Sequence, residues 1–143
     1  MTSVPVEIRP LGPGDLERVL EAADLFDEPP QPEWATRFLD SAGHHLLIAY
    51  GDDQAVGFVT GVETTHPDKG TEMFLYELGV DEGHRRRGIG RALIAELAQV
   101  AASRGCHGMW VATERDNAAA VATYRAAGSG EAEDCIVLSW EFP

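Results

Sequence analysis

Residues 73–97, MFLYELGVDEGHRRRGIGRALIAEL, limit what this chain can fold into more than any other stretch. An apolar, strand-like run gives way to a short loop, three arginines and Gly88-Ile89-Gly90, and then an amphipathic helical pattern begins. Glycines at 88 and 90 allow a sharp turn and a close approach to the backbone. The first N–H groups of the helix have no intrahelical partners, and the aligned peptide dipoles leave partial positive charge beside them. The arrangement is an anion cradle, and phosphate is its natural guest. Arg85, Arg86, Arg87 and Arg91 gather four positive charges around that turn in a chain whose formal charge is −13.

The missing residues narrow the ligand. A P-loop needs Lys and then Ser or Thr after its last glycine, whereas this chain has Gly90-Arg91-Ala92; a dinucleotide fingerprint needs a third glycine where Leu93 stands. The run Arg85-Arg86-Arg87-Gly88-Ile89-Gly90 instead resembles the acyl-CoA-binding motif of the GNAT superfamily of N-acetyltransferases, Gln or Arg-x-x-Gly-x-Gly or Ala. Leu78-Gly79-Val80 stands where that family carries Leu-x-Val on the preceding strand, and Asn117-x-x-Ala120-x-x-x-Tyr124-x-x-x-Gly128 matches a second motif of the family. The matched segments span residues 72–128.

A length of 143 residues suits one domain, expected over residues 1–143, with a core that needs no disulfides. The N-terminus lacks the pattern of a leader, and no apolar run approaches membrane-spanning length, so a soluble, cytoplasmic protein is expected, with no membrane partner. Cys106 and Cys135 are too few for a disulfide framework, and both are expected to be reduced core residues. With 24 acids against 11 bases, a nucleic acid partner is disfavoured by phosphate repulsion, and cationic partners are favoured. A homodimer is allowed by the sequence and not required by it.

The expected elements form a mixed α/β (α+β) arrangement, a mostly antiparallel sheet with about four helices. Residues 4–9 alternate as a first strand, stopped by Pro10. A helix capped by Asp15 runs to about Leu25, and Trp34 with Phe38 marks a second. Between them, Pro29, Pro30 and Pro32 stiffen a connection that either borders a site or only joins two helices. Residues 45–50 and 55–63 form a hairpin, and residues 64–70 a polar loop. The helix after the cradle carries Ile89, Leu93, Leu97 and Val100 on one stripe and ends at Gly105. A strand over 108–113, with Trp110 in the core, precedes a helix capped by Asp116 or Asn117 and closed by Gly128. Residues 135–142 are the last strand, and residues 129–134 are too polar for one. The resemblance adds that the strand before the motif and the strand after its helix are parallel neighbours that splay apart to admit the pantetheine arm of acetyl-CoA.

Acetyl transfer to an amine has few requirements. The amine must lose a proton before it can attack. Glu77, an acid within an apolar strand, is the candidate base, and it could equally bind a cationic acceptor. A backbone N–H aimed at the carbonyl oxygen would stabilise the charge that develops there; the resemblance assigns this to Leu78. It also implies that Tyr124 protonates the departing thiolate, and that Leu78, Val80, Arg85, Arg86, Arg87, Gly88, Gly90, Arg91 and Asn117 hold acetyl-CoA. A side chain at Gly90 is expected to obstruct the pyrophosphate. His44, His45, His66 and His107 lack ligand spacing, and no metal is implied. His84 reads as structural or as a phosphate neighbour, and Trp34 as a wall of the substrate side.

The string Tyr76-Glu77-Leu78-Gly79-Val80, with Gly83-His84-Arg85-Arg86, looks like the short aminoglycoside 3-N-acetyltransferases, which also have an acid where Glu72 stands. The resemblance implies an aminoglycoside acceptor and antibiotic resistance, with Asp27, Glu28, Glu72 and Glu77 holding ammonium groups. Alternatives are an acetyltransferase for another amine (a polyamine, a protein N-terminus or a lysine) and a non-catalytic acyl-CoA-binding module. Strand alternation alone places Glu72 and Glu77 on opposite faces, and a bulge would realign them.

Overall fold

The computed structural model describes residues 5–143, so Val4, the expected start of the first strand, lies outside the described residues. Five strands form one sheet in chain order: β1 (Val6–Leu11), β2 (His44–Gly51), β3 (Gln54–His66), β4 (Gly70–Val80) and β5 (Met109–Trp110). The first four pair antiparallel, and β5 runs parallel to β4. Four helices accompany them: α1 (Leu16–Glu21), α2 (Pro32–Asp40), α3 (Ile89–Ser103) and α4 (Ala118–Ala126).

Local chemistry explains most of these limits. Pro10 does not end β1, because β1 is the edge of the sheet and a residue without an N–H can stay there. The β2–β3 hairpin closes through Asp52 and Asp53 at φ 51° and 64°, the paired left-handed geometry of a type I′ turn. Pairing of β3 with β4 continues to His66 and Gly70, so residues 64–66 are strand rather than the expected loop. Gly70 at φ +82° makes the short turn possible. Asn117, not Asp116, caps α4, its Oδ1 accepting from the Ala120 N–H at 3.1 Å. Asp15 precedes α1 without capping it; its carboxylate accepts from the Gly12 N–H at 2.8 Å instead.

Both faces of the sheet are covered, which accounts for the unbroken apolar runs in β2 and β3. On one face α3 buries Ile89, Leu93, Ile94, Leu97 and Ala101 against Val59, Met73 and Leu75. Burial of each large apolar side chain contributes about 1.5–3 kcal/mol. Gly61 lies under this helix, where a Cβ would stand 2.9 Å from Met73 Sδ. On the other face α1 and α2 place Val19, Ala22, Ala35 and Leu39 over Leu46, Ile48 and Phe58.

The C-terminal third departs from expectation. β5 has two residues rather than six, and no strand forms over residues 135–142. A strand holds its shape through a ladder, and so short a neighbour offers almost none. Trp110, expected in the core, is 47% exposed, since no strand pairs beyond β5 among the described residues. Cys135 is likewise exposed, while Cys106 is partly buried; both are free thiols.

One polar cluster ties three elements together. Glu63 in β3 accepts from Arg104 Nε at 2.8 Å, and its Oε2 lies 2.6 Å from His45 Nε2 in β2. Burial pushes this carboxyl up, but the bonds to His45 and Arg104 outweigh it and hold the group below its ordinary value. A depressed carboxyl pKa stabilises the fold above the ordinary value and loses that contribution as pH falls through the folded one. Glu63→Gln should therefore cost about 1–3 kcal/mol in neutral denaturant titrations. The gap to the wild type should shrink as pH drops below the carboxyl's ordinary value of 4.5.

Candidate active site

Two irregularities in β4 build the site. The first is a bulge: Thr60 pairs with Glu77 but Gly61 pairs with Leu75, leaving Tyr76 as an extra residue. Met73 and Leu75 face α3, as do Leu78 and Val80. Glu77 therefore turns to the α1 and α2 side, the side that Glu72 and Phe74 also take. The realignment that alternation alone could not supply is present.

The second irregularity is a split. β4 and β5 pair only at Met73↔Met109 and Phe74↔Trp110, after which β4 continues alone to Val80. At the end of β4 the Asp81 N–H donates to the Val56 carbonyl at 2.8 Å, while the Val80 carbonyl accepts from Arg85 Nε at 3.2 Å. Antiparallel strands send alternate residues' backbone groups to opposite sides. The N–H groups of Leu78 and Val80 thus point away from β3, into the split.

Below the split lies the cradle. Arg86 at φ 63° and Gly88 at φ 80° take left-handed conformations within three residues, which turns successive N–H groups inward. α3 starts at once, with no side-chain cap and no acid in its first turn. Among the described residues, Arg85, Arg86, Arg87 and Arg91 make no salt bridge, although the chain has 24 acids. His84 pairs with Asp81 at 2.7 Å and so braces the loop before them. Free amides, four unpaired guanidinium groups and an open strand edge suit a ligand with phosphates at one end and an amide-bearing arm at the other.

A Cβ at Gly90 would meet Thr123 Cγ2 at 3.4 Å, Val80 Cγ2 at 3.7 Å and Leu78 Cδ2 at 3.8 Å, so its side faces α4 and β4 rather than open space. A Cβ alone fits there in ordinary contact, and only a larger side chain would crowd the mouth of the split. Tyr124, one residue on from Thr123, packs partly buried against the α3-side core, and burial raises its phenol above the ordinary range. It keeps its proton at neutral pH.

On the other face a cavity of about 500 Å³ opens over Glu77. The connection carrying Phe26, Asp27, Glu28, Pro29, Pro30 and Gln31 forms one wall, Trp34 and Phe38 of α2 another, and Leu46, Thr60 and Glu77 the floor. The proline-rich connection borders the site, and Trp34 stands where a substrate-side wall was expected. Asp27, Glu28 and Glu77 come together here. Glu72 does not line the cavity; it lies further along β4, bonded to His66 at 3.0 Å. Sequence reasoning missed Phe26, Phe38 and Thr60. Thr60 Oγ1 donates to Glu77 Oε1 at 3.1 Å and fixes that carboxylate. A hydroxyl within the apolar run of β3 was its available signal. Gly79 lies beneath the same floor: Phe58 occupies the space where its Cβ would stand, 2.7 Å away, and meets the Phe26 ring at a tilt with centroids 4.5 Å apart. Among the described residues, no group of three or more His, Cys, Asp or Glu is placed to hold a metal ion.

Residues 15–128 match the model of the acetyltransferase (GNAT) family. The chain belongs to that family. It is an acetyl-CoA-dependent N-acetyltransferase, and the cradle and split suit that donor. Among curated proteins it is 35% identical over 127 residues to the N-alpha-acetyltransferase RimI of Mycobacterium tuberculosis, covering 87% of this chain and 78% of that one. Among solved structures it shares the fold of the aminoglycoside acetyltransferase meta-AAC0020 from a soil metagenomic sample, in complex with sisomicin, at TM-score 0.89 and 20% identity over 96% and 97% of the two chains. It also shares that of the aminoglycoside N-acetyltransferase AAC(6')-Iy in complex with CoA, at TM-score 0.80 and 22% identity over 97% of each.

Gly90→Val should force its two extra methyl groups into Thr123 and Leu78. Overpacking of this kind costs about 1–3 kcal/mol. A lowered melting temperature without acetyl-CoA would identify packing as the main constraint at this position; an unchanged one would return the constraint to the ligand.

Proposed function

We propose that this chain acetylates an amine of a polycationic small molecule, an aminoglycoside, with the acceptor held in the cavity over Glu77. The observation that carries the reading is the cavity's make-up: three carboxylates, Asp27, Glu28 and Glu77, in an aromatic and proline-walled space of about 500 Å³. That volume suits a ring system with several ammonium groups. The fold shared with a sisomicin-bound acetyltransferase supports it.

In this reading Glu77, fixed by Thr60, takes the proton from the reacting ammonium group. The freed amine attacks the thioester carbonyl in the split, where the Leu78 N–H meets the oxygen as it gains charge. Tyr124 then gives its proton to the departing thiolate, and the tyrosinate is reloaded by the second proton that the attacking nitrogen must lose as the amide forms. Arg85, Arg86, Arg87 and Arg91, with the amides of Gly88 and Gly90, hold the CoA phosphates; the Val80 backbone and Asn117 guide the pantetheine arm. Asp27 and Glu28, exposed at the rim, hold further ammonium groups, and Glu72 receives one only after releasing His66.

A second reading has a specific observation behind it: the 35% identity to an N-alpha-acetyltransferase favours a protein N-terminal amine. Thiol release from acetyl-CoA with aminoglycosides, polyamines and N-terminal peptides separates the two. Turnover with an aminoglycoside far above that with any peptide supports the first reading, and the reverse order replaces it. Regiochemistry at the 3-amine is expected from the likeness of residues 76–86 and is read by NMR of the product.

Tyr124→Phe retains the ring and removes the hydroxyl. Turnover should fall about a hundredfold or more while the melting temperature holds; an intact rate would leave Tyr124 a core aromatic.

For Glu77→Gln, a base predicts loss chiefly in kcat, together with the disappearance of the rising limb of its pH profile; a binder predicts loss chiefly in KM with the limb in place. Thr60→Val should show the same kind of loss in milder form, since the carboxylate remains but its hydroxyl anchor is gone.

A further inference from the structure

Two residues beyond Glu77, on the same side of β4, stands a glycine whose backbone does not require one. Gly79 is not among the residues with positive φ, so an ordinary side chain could adopt its conformation. Contact is what excludes a side chain. A Cβ there would stand 2.7 Å from Phe58 Cε1, 3.2 Å from Phe58 Cδ1 and 3.5 Å from the Leu25 carbonyl oxygen. The first of these is far inside van der Waals contact, so Phe58 would have to move.

Phe58 is hemmed in. It is the cross-strand partner of Gly79 in β4 and of Ile48 in β2, is 4% exposed, and belongs to the core under α1 and α2. Against it lies the Phe26 ring, with centroids 4.5 Å apart. Phe26 in turn lines the cavity over Glu77. Gly79, Phe58, Phe26 and the cavity thus stand in series. Interiors are close-packed, so a displacement at one end of such a series is passed to the other. The Leu25 carbonyl adds a direct route, because the connection that carries Phe26, Asp27 and Glu28 begins there. Leu78 and Val80 pack on the opposite face against the α3-side core, so a side chain at 79 would point away from the donor split.

We propose that Gly79 determines acceptor specificity: its missing side chain seats Phe58, and through it Phe26, close to β4 and keeps the cavity wide enough for bulky amines. Gly79 is a positioning residue and touches neither ligand. The inference rests on the reading that the cavity over Glu77 takes the acceptor. A methyl group at 79 drives Phe58 toward Phe26 and Phe26 into the cavity. The bulkiest acceptors then lose most, and acetyl-CoA binding on the other side of the strand is unchanged.

The test is steady-state acetylation with a small and a bulky member each of the aminoglycosides, the linear polyamines and N-terminal peptides. Wild type, Gly79→Ala and the double variant Gly79→Ala with Phe58→Leu are compared. In Gly79→Ala, kcat/KM for the bulky member of the class that wild type accepts should fall about tenfold or more, chiefly through KM; misplacement by about 1 Å can cost a hundredfold. The small member should lose several-fold less, and the Kd of acetyl-CoA by calorimetry should hold. Leucine at 58 removes the colliding ring, so the double variant should regain most of the loss. Phe26→Leu trims the wall from the cavity side and should shift preference toward bulky amines, a readout that stands even if the double variant fails to fold.

Equal loss for small and bulky acceptors in Gly79→Ala overturns the proposal, as does weakened acetyl-CoA binding. A folded double variant without recovery overturns it too. The acceptor class preferred by the wild type tests the proposed function separately: turnover of peptides alone would replace the aminoglycoside reading, and the small-to-bulky ratio among those peptides would still decide the role of Gly79.

Discussion

Parallel pairing between β4 and β5 stops after two residue pairs, and the chemistry of this protein depends on that interruption. Had the ladder continued, the outer N–H and C=O groups of residues 75–80 would be consumed by β5, and the sheet would be closed. Instead the two strands part, and α4, the first turn of α3 and β4 come together around Gly90. An unpaired strand edge inside a protein is costly unless something binds it. An acyl-CoA arm with alternating amides matches that need, which is why opening the sheet and binding the donor are one structural feature rather than two.

The bulge at Tyr76 supplies the second half of the site. By adding one residue to β4 it moves Glu77 to the face opposite Met73 and Leu75, and returns Leu78 and Val80 to their face, while leaving the strand continuous. Acceptor cavity and donor split then lie on two sides of a single strand. Glu77 sits on the first side with Thr60, and Tyr124 on the second within the α3-side core. The two groups proposed to move protons thus sit in different environments, one rimmed by carboxylates and the other apolar, and burial on the apolar side raises the Tyr124 phenol above its ordinary range.

Much of this was legible in the sequence because local rules govern it. The cradle, α3 and its buried stripe, the β2–β3 hairpin and the cap of α4 rest on turn chemistry and periodicity within a few residues, and each forms close to its expected place. What failed depends on neighbours. The short β5, the exposure of Trp110 and the unformed strand over residues 135–142 reflect the lack of a partner, and composition does not encode whether a partner arrives. The bulge has the same character, since only pairing with β3 reveals Tyr76 as the extra residue. Thr60 was hidden for a different reason: its role exists only because Glu77 stands across the ladder from it.

Charge organises what remains. The chain is strongly acidic, yet four of its 11 bases are grouped at one helix start and, among the described residues, kept out of ion pairs. Long-range attraction therefore favours the cationic acceptor, and long-range repulsion opposes the phosphates of the donor. The two ligands answer to different ranges of the same interaction. At physiological ionic strength the Debye length is about 8 Å, so remote acids are largely screened while guanidinium and amide groups in contact with a phosphate are not. Donor binding is thus carried by short-range geometry, the left-handed turns at Arg86 and Gly88 and the uncapped α3. Under the proposed function, acceptor capture draws on the diffuse field and on the carboxylates of the cavity, so salt should slow the encounter of a cationic acceptor with the enzyme. An acidic protein that binds a polyanion needs a local cradle, and the left-handed turns at Arg86 and Gly88 before the uncapped start of α3 supply one.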